Sequence, residues 1–234
     1  MTAQAVRRAL KKQSNKRKAK ILQRFFKTGP GEYGEGDVFI GVVVPQIRKV
    51  VQQFDALSLA ETVKLLQSSI HEERLAALLI LVKQYAVSSQ QSRKKIYTMY
   101  LKHTQYINNW DLIDLTAAHI VGAFLFDKSK KPLFVLARSP SLWERRIAIL
   151  STFHYIKHGR FDVTLVLAKR LLTDKEDLIH KAVGWMLREV GKRNRALEER
   201  FLKKHYRKMA RTMLRYAIEK FPEAERQAYL KGRV

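Results

Sequence analysis

Apolar residues recur at helical spacing along most of this chain, and the connections between the periodic stretches are brief. Ser58-x-x-Glu61 and Ser141-x-x-Glu144 are capping-box patterns that open two such stretches. Pro45 suits the first turn of a helix running through Phe54. Further helices are predicted over 71–86, 90–103, 109–126, 131–138, 142–158, 162–172, 177–193, 196–206, 208–221 and 222–231. Residues 2–27 read as one very basic N-terminal helix, with Val6, Leu10, Ile21, Leu22, Phe25 and Phe26 near its ends. Its middle, Lys11 to Lys20, is almost all cation and amide, which suits a solvated face and an arm that follows phosphates equally. Residues 28–44 form a Gly-rich loop and a Val-rich segment, in which Val38–Val44 is the one strand-like run, too little for a sheet.

A faint internal repeat organises the helices. Arg74-Leu-Ala-Ala-Leu recurs as Arg146-Ile-Ala-Ile-Leu 72 residues later, and Lys181-Ala-Val-Gly-Trp185 begins 35 residues after Arg146. A spacing near 36 over helix pairs is the size of a HEAT-like unit. Such units cannot bury their faces alone, so they stack into a solenoid. The expected fold is all-α: HEAT-like helical repeats forming a curved α-solenoid, an α-α superhelix with a basic concave groove. Residues 1–234 make a single domain on this reading, with stacked helix pairs over 45–234. Inner helices would bring Trp110, Trp143 or Arg146, and Lys181 to Trp185 to a common concavity.

Within this pattern, Asn108-Asn-Trp-Asp-Leu-Ile-Asp114 stands out. The asparagines suit a helix cap. Trp110 and Asp114 are then four apart on one face, beside Ile113, Ala117, Val121 and Phe124. Asp111 fits the positive start of the helix. Asp114 lies beyond the first turn, at the margin of an apolar stripe, where a carboxylate is costly unless paired or employed.

Charge decides the class of partner. The chain carries 46 Lys plus Arg against 21 Asp plus Glu, a net +25. A folded chain this basic points to a polyanion. The longest apolar run, Leu75 to Val82, is too short to span a bilayer, so no membrane association is expected. No apolar h-region marks a secretory signal. With no cysteine there is no disulfide, thiol nucleophile or thiolate metal site, and a reducing, cytoplasmic location is expected. Gly29, Gly31 and Gly34 spell G-x-G-x-x-G, but no strand precedes them, a proline interrupts them and three acids would repel phosphate. His154 and His158 are four apart without a third ligand, so neither metal nor cofactor is expected.

Asn-Trp-Asp-Leu-Ile-Asp (109–114), Leu-Trp-Glu-Arg-Arg-Ile-Ala-Ile-Leu (142–150), Ile-His-Lys-Ala-Val-Gly-Trp-Met-Leu-Arg-Glu (179–189) and Phe39-Ile-Gly-Val-x-x-Pro45 together resemble the AlkD-type DNA alkylation repair glycosylases. That family is built of HEAT-like repeats and excises positively charged alkylpurines from DNA. The resemblance implies a monofunctional hydrolase acting on double-stranded DNA with alkylated bases, expected as a monomer. It implies Asp114 as the catalytic carboxylate, Trp110 and Trp185 as the aromatic pair flanking the lesion, and Arg146 as a backbone contact, with Arg188 and Arg48 as further phosphate contacts. It also implies capture of the lesion without a base-reading cavity. The family's helical tyrosine upstream of Phe-Ile-Gly has Tyr33 as its nearest counterpart, inside the Gly-rich loop. The alternative is a non-catalytic HEAT-like scaffold that grips nucleic acid.

Overall fold

The computed structural model describes residues 1–234, whose regular elements are all helices, with no strand. By their contacts they divide into two compact units, Met1–Thr116 and Ala117–Val234.

The first unit holds α1 (Ala3–Lys12), α2 (Lys16–Phe25), α3 (Val44–Val51), α4 (Leu59–Leu66), α5 (His71–Val87), α6 (Gln90–Lys102) and α7 (Trp110–Asp114). Its centre is α5, buried without interruption from His71 to Leu81. A helix buried all round needs neighbours on every side, and α1, α3, α4, α6 and α7 all pack on it. The cost lies in its first turn, because His71, Glu72, Glu73 and Arg74 are buried too and each must find a partner.

The single basic helix expected over 2–27 is instead two. Asn15 breaks it by turning extended and accepting the Lys18 amide at 2.9 Å as the cap of α2. Val38–Val44 forms no strand beyond one parallel bridge, Val38 to Ile70. Its amides are spent elsewhere: those of Ile40, Gly41 and Val42 donate to the buried Glu72 carboxylate at 3.1, 2.8 and 3.2 Å. Gly41 has φ +84°, and a Cβ there would stand 2.1 Å from the Asn15 carbonyl oxygen, so only glycine fits. Of the two expected capping boxes, Ser58 accepts the Glu61 amide at 3.3 Å, but Glu61 turns to the Ala3 amide at 2.6 Å. Ser141 makes no side-chain cap bond.

The second unit holds α8 (Ala123–Leu125), α9 (Lys131–Leu136), α10 (Leu142–Lys157), α11 (Asp162–Arg170), α12 (Asp177–Gly191), α13 (Arg195–His205), α14 (Arg211–Ala217) and α15 (Glu223–Leu230). Here α10 and α12 supply the core, with α12 packed against α10, α13 and α14. The continuous helix expected over 109–126 is absent. Instead, α7 ends at Asp114, and Ala118–Gly122 forms a π turn before α8. Gly122 permits that turn to press on α10, since a Cβ would come 2.2 Å from the Ser151 carbonyl oxygen.

The repeat is real, but its register is one residue off the expected one. The buried helices α5, α10 and α12 start at His71, Leu142 and Asp177, 71 and 35 residues apart. In each, the fourth residue bonds the backbone carbonyl six positions earlier: Arg74 to Ser68 at 3.1 Å, Arg145 to Ser139 at 3.0 Å, His180 to Asp174 at 2.6 Å. Arg145, rather than Arg146, is thus the counterpart of Arg74.

Candidate active site

In the first unit a buried charge cluster ties the Gly-rich loop, α5 and α7 together. His71 bonds Asp37 through Nδ1 and Asp111 through Nε2, both at 2.9 Å. Asp37 also accepts from Arg74 at 2.5 Å and from the Asn109 amide group at 3.1 Å. The other Asp111 oxygen accepts the Leu112 amide at 2.9 Å. Two carboxylates on one ring can both accept only from the doubly protonated imidazolium. Burial alone would depress the His71 pKa, but the Asp111 charge and the bonds to both carboxylates outweigh it and hold the pKa above the usual imidazole value. Asp37 goes the other way: burial opposes its ionisation, yet His71, Arg74 and Asn109 together keep it below the ordinary carboxylate range.

An aromatic stack is built on this cluster. Phe39 lies on the His71 ring at 4.5 Å, Phe26 on Phe39 at 4.9 Å, and Trp110 on Phe26 at 5.0 Å with planes only 13° apart. Phe25 meets Trp110 edge-on at 5.9 Å. Beside the stack is a cleft of about 480 Å³, lined chiefly by carbon, with Phe25, Phe26, Phe39 and Trp110 on its walls and Asp111 and Asp114 among its few polar residues. A cleft so apolar has almost nothing with which to read the hydrogen-bonding edge of a base.

Trp110 and Asp114, one turn apart on α7, are therefore brought together on a single cleft wall, each partly exposed. Asp111 does serve the helix start, as its sequence position suggests, but its second oxygen belongs to His71. Tyr33 does not line the cleft. The aromatic side chains that do so upstream of Phe39-Ile-Gly41 are Phe25, at the end of α2, and Phe26, which follows it. Sequence reasoning missed Asp37, His71 and Arg74 as a unit, because no periodicity links a position in a loop to the start of a helix more than thirty residues on. The one available signal was local: four consecutive polar residues, His71 to Arg74, open a segment that is otherwise apolar.

The remaining expected residues are not among those lining this cleft. Arg48 is exposed on α3 of the first unit. In the second unit, Trp185 is partly exposed on α12, its ring 5.9 Å from Phe153. Arg188 pairs with Glu219. Arg146 is only 4% exposed and donates to the Leu178 carbonyl, whereas Arg145 forms a two-pronged pair with Asp174 at 2.6 and 3.1 Å. Neither Arg146 nor Arg188 is thus a solvated arm. Each is already engaged with the protein.

Comparison with known proteins agrees with this architecture. The family model described as "DNA alkylation repair enzyme" matches residues 6–221. A solved structure, "Predicted DNA alkylation repair enzyme from Enterococcus faecalis", superposes with a TM-score of 0.69 at 16% identity, covering 90% of this chain and 98% of that one. At that identity the likeness speaks to fold alone. No curated protein sequence matches at a significant level. With nearly its whole length matched, this chain belongs to the DNA alkylation repair enzyme family.

Proposed function

We propose that the protein is a DNA glycosylase that hydrolyses the N-glycosidic bond of cationic alkylated purines in duplex DNA. The observation that carries this reading is Asp114 beside Trp110 on the wall of a preorganised aromatic cleft, with the neighbouring Asp111 tied to His71. As the bond breaks, positive charge builds on the deoxyribose, and a carboxylate held in an apolar wall stabilises that charge far better than one in water. A purine bearing a formal positive charge leaves as a neutral base, so no general acid is required. Water supplies the hydroxyl at the sugar, and Asp114 orients it or takes its proton. The Trp110 face supplies apolar and cation–π contact to lesion and sugar, and Phe26 behind it holds the indole plane. Trp185 is proposed as the second aromatic contact. Arg146, Arg188 and the exposed Arg48 are proposed as backbone contacts, which for Arg146 and Arg188 requires exchange of their present partners.

The test is release of modified base from methylated duplex DNA, with spontaneous loss subtracted. Asp114→Asn should lower single-turnover excision about a hundred- to thousand-fold, with DNA affinity unchanged or slightly higher. Trp110→Ala and Trp185→Ala should each cost less. Excision by Asp114→Asn at the wild-type rate would make the carboxylate structural. DNA binding without excision by the wild type would leave the scaffold reading in its place.

A further inference from the structure

α2 has two apolar faces, and the fold covers one of them while leaving most of the other in solvent. Ala19 backs onto Gly41, while Leu22 and, just beyond the helix, Phe26 line the cleft. Winding at about 100° per residue places Ile21 and Phe25 on the other side, where they are 58% and 61% exposed, although one edge of Phe25 also reaches the cleft wall at Phe26 and Trp110. The same winding sets Arg17, Lys18 and Arg24 around that pair, with Lys20 at its edge. The helix Lys16–Phe25 contains no acid, and none of these cations is ion-paired. Elsewhere Arg74, Arg145, Arg188 and Arg195 all hold carboxylates. The exposed parts of this apolar pair, and the unpaired cations around it, stabilise nothing within the chain.

We infer that the outward face of α2 is a duplex-DNA contact surface, on which Ile21 and Phe25 press against the nucleotides beside the lesion while Arg17, Lys18, Lys20 and Arg24 take the flanking phosphates. This rests on the reading of the Asp114 cleft as the lesion site, because Phe25 meets Trp110 edge-on at 5.9 Å and so makes the two surfaces continuous. The dimensions agree. Ten helical residues span about 15 Å, which parallels about four phosphates of one strand, the number of cations on that side. Apolar wedges between base steps, with basic residues on the backbone, are an established way to hold locally unstacked DNA. An anionic bilayer also attracts basic helices, but it needs a wide apolar face sunk in the lipid. Here that face is two residues wide, and the wider one is committed to the cleft.

The experiment measures binding of the full chain to short duplexes, undamaged or carrying a stable abasic-site analogue flanked by 2-aminopurine, across a salt series. A variant with Arg17→Gln, Lys18→Gln, Lys20→Gln and Arg24→Gln should flatten the slope of log affinity against log salt by about 2 to 4. Single Arg17→Gln and Arg24→Gln variants should each flatten it by about 1. The Ile21→Ser, Phe25→Ser double variant should keep the wild-type slope, bind the abasic duplex about tenfold or more weakly, and fail to produce the 2-aminopurine brightening caused by wild type. The four cations are exposed, so the four-Gln variant should melt with wild type. The double variant should melt slightly lower because it loses the Phe25 contacts with Phe26 and Trp110, and a single Ile21→Ser variant, which keeps them, should still weaken abasic-duplex binding. Slopes and abasic-duplex affinities equal to wild type would overturn the inference. So would a four-Gln variant that loses binding to phosphatidylserine vesicles while keeping the full DNA salt slope, which would assign α2 to lipid. The analogue is not a substrate, so failure of the glycosylase reading would show as absent excision and leave these binding results unaffected.

Discussion

Replacing His71 by Phe keeps a flat ring against Phe39 and removes the imidazolium between two buried carboxylates. Both 2.9 Å bonds go. Their loss is uneven, because Asp37 keeps Arg74 and Asn109 while Asp111 keeps only the Leu112 amide. Removing one partner from a buried ion pair costs about 3–5 kcal/mol, and most of that should fall on Asp111. Adding Asp111→Asn to His71→Phe should therefore recover about 0.5–3 kcal/mol, the range found for directly coupled residues. The pH dependence has a defined sign. A pKa raised on folding makes the His71 contribution full below the unfolded value, near 6.5, and lost as pH rises through the folded value. The lowered Asp37 pKa makes its contribution present above about 4 and lost as pH falls. Urea melts should thus show the widest gap between wild type and His71→Phe near pH 5–6.5, narrowing at alkaline pH. A strictly additive cycle, or a gap that widens with pH, would refute the charged-clamp argument. Because His71 underlies the stack ending at Trp110, the emission of that indole should also shift in His71→Phe, which can be followed in a Trp143→Phe, Trp185→Phe background.

Other outcomes follow from burial and charge. Leu78, fully buried on α5, should cost about 2–5 kcal/mol as Leu78→Ala in thermal or urea melts, without altering excision per folded molecule. Glu198 is buried with Oε1 lacking a hydrogen bond, and burial raises its pKa to about 8 despite Arg195 and Arg188. An acid whose pKa rises on folding loses stability as pH climbs from its unfolded value to its folded one. Glu198→Gln should accordingly gain little at pH 5 and most at pH 8–9, and a melting-temperature gain independent of pH would contradict this. Phe26→Ala should loosen Trp110 and lower excision more than Phe26→Leu, which retains bulk behind the indole.

The helices were legible because their cause is local. Apolar spacing, brief connections and a helix-sized repeat fix where α5, α10 and α12 run, and the Trp110–Asp114 spacing alone puts both residues on one face. Motif resemblance named the family before any coordinate did. What the sequence could not declare depends on partners distant along the chain. The acids of the Gly-rich loop argued against a phosphate site there, and one of them, Asp37, is spent on His71 and Arg74. Val38–Val44 looked like a strand, yet Glu72, some thirty residues on, takes its amides. Arg146 looked like a groove arginine and is buried against Leu178, while Arg145 keeps the repeat's bonding pattern. Periodicity reports which side of an element is buried. Only the tertiary structure decides which charge satisfies which, because a buried ion is stabilised by groups within about 3 Å and not by its neighbours in sequence.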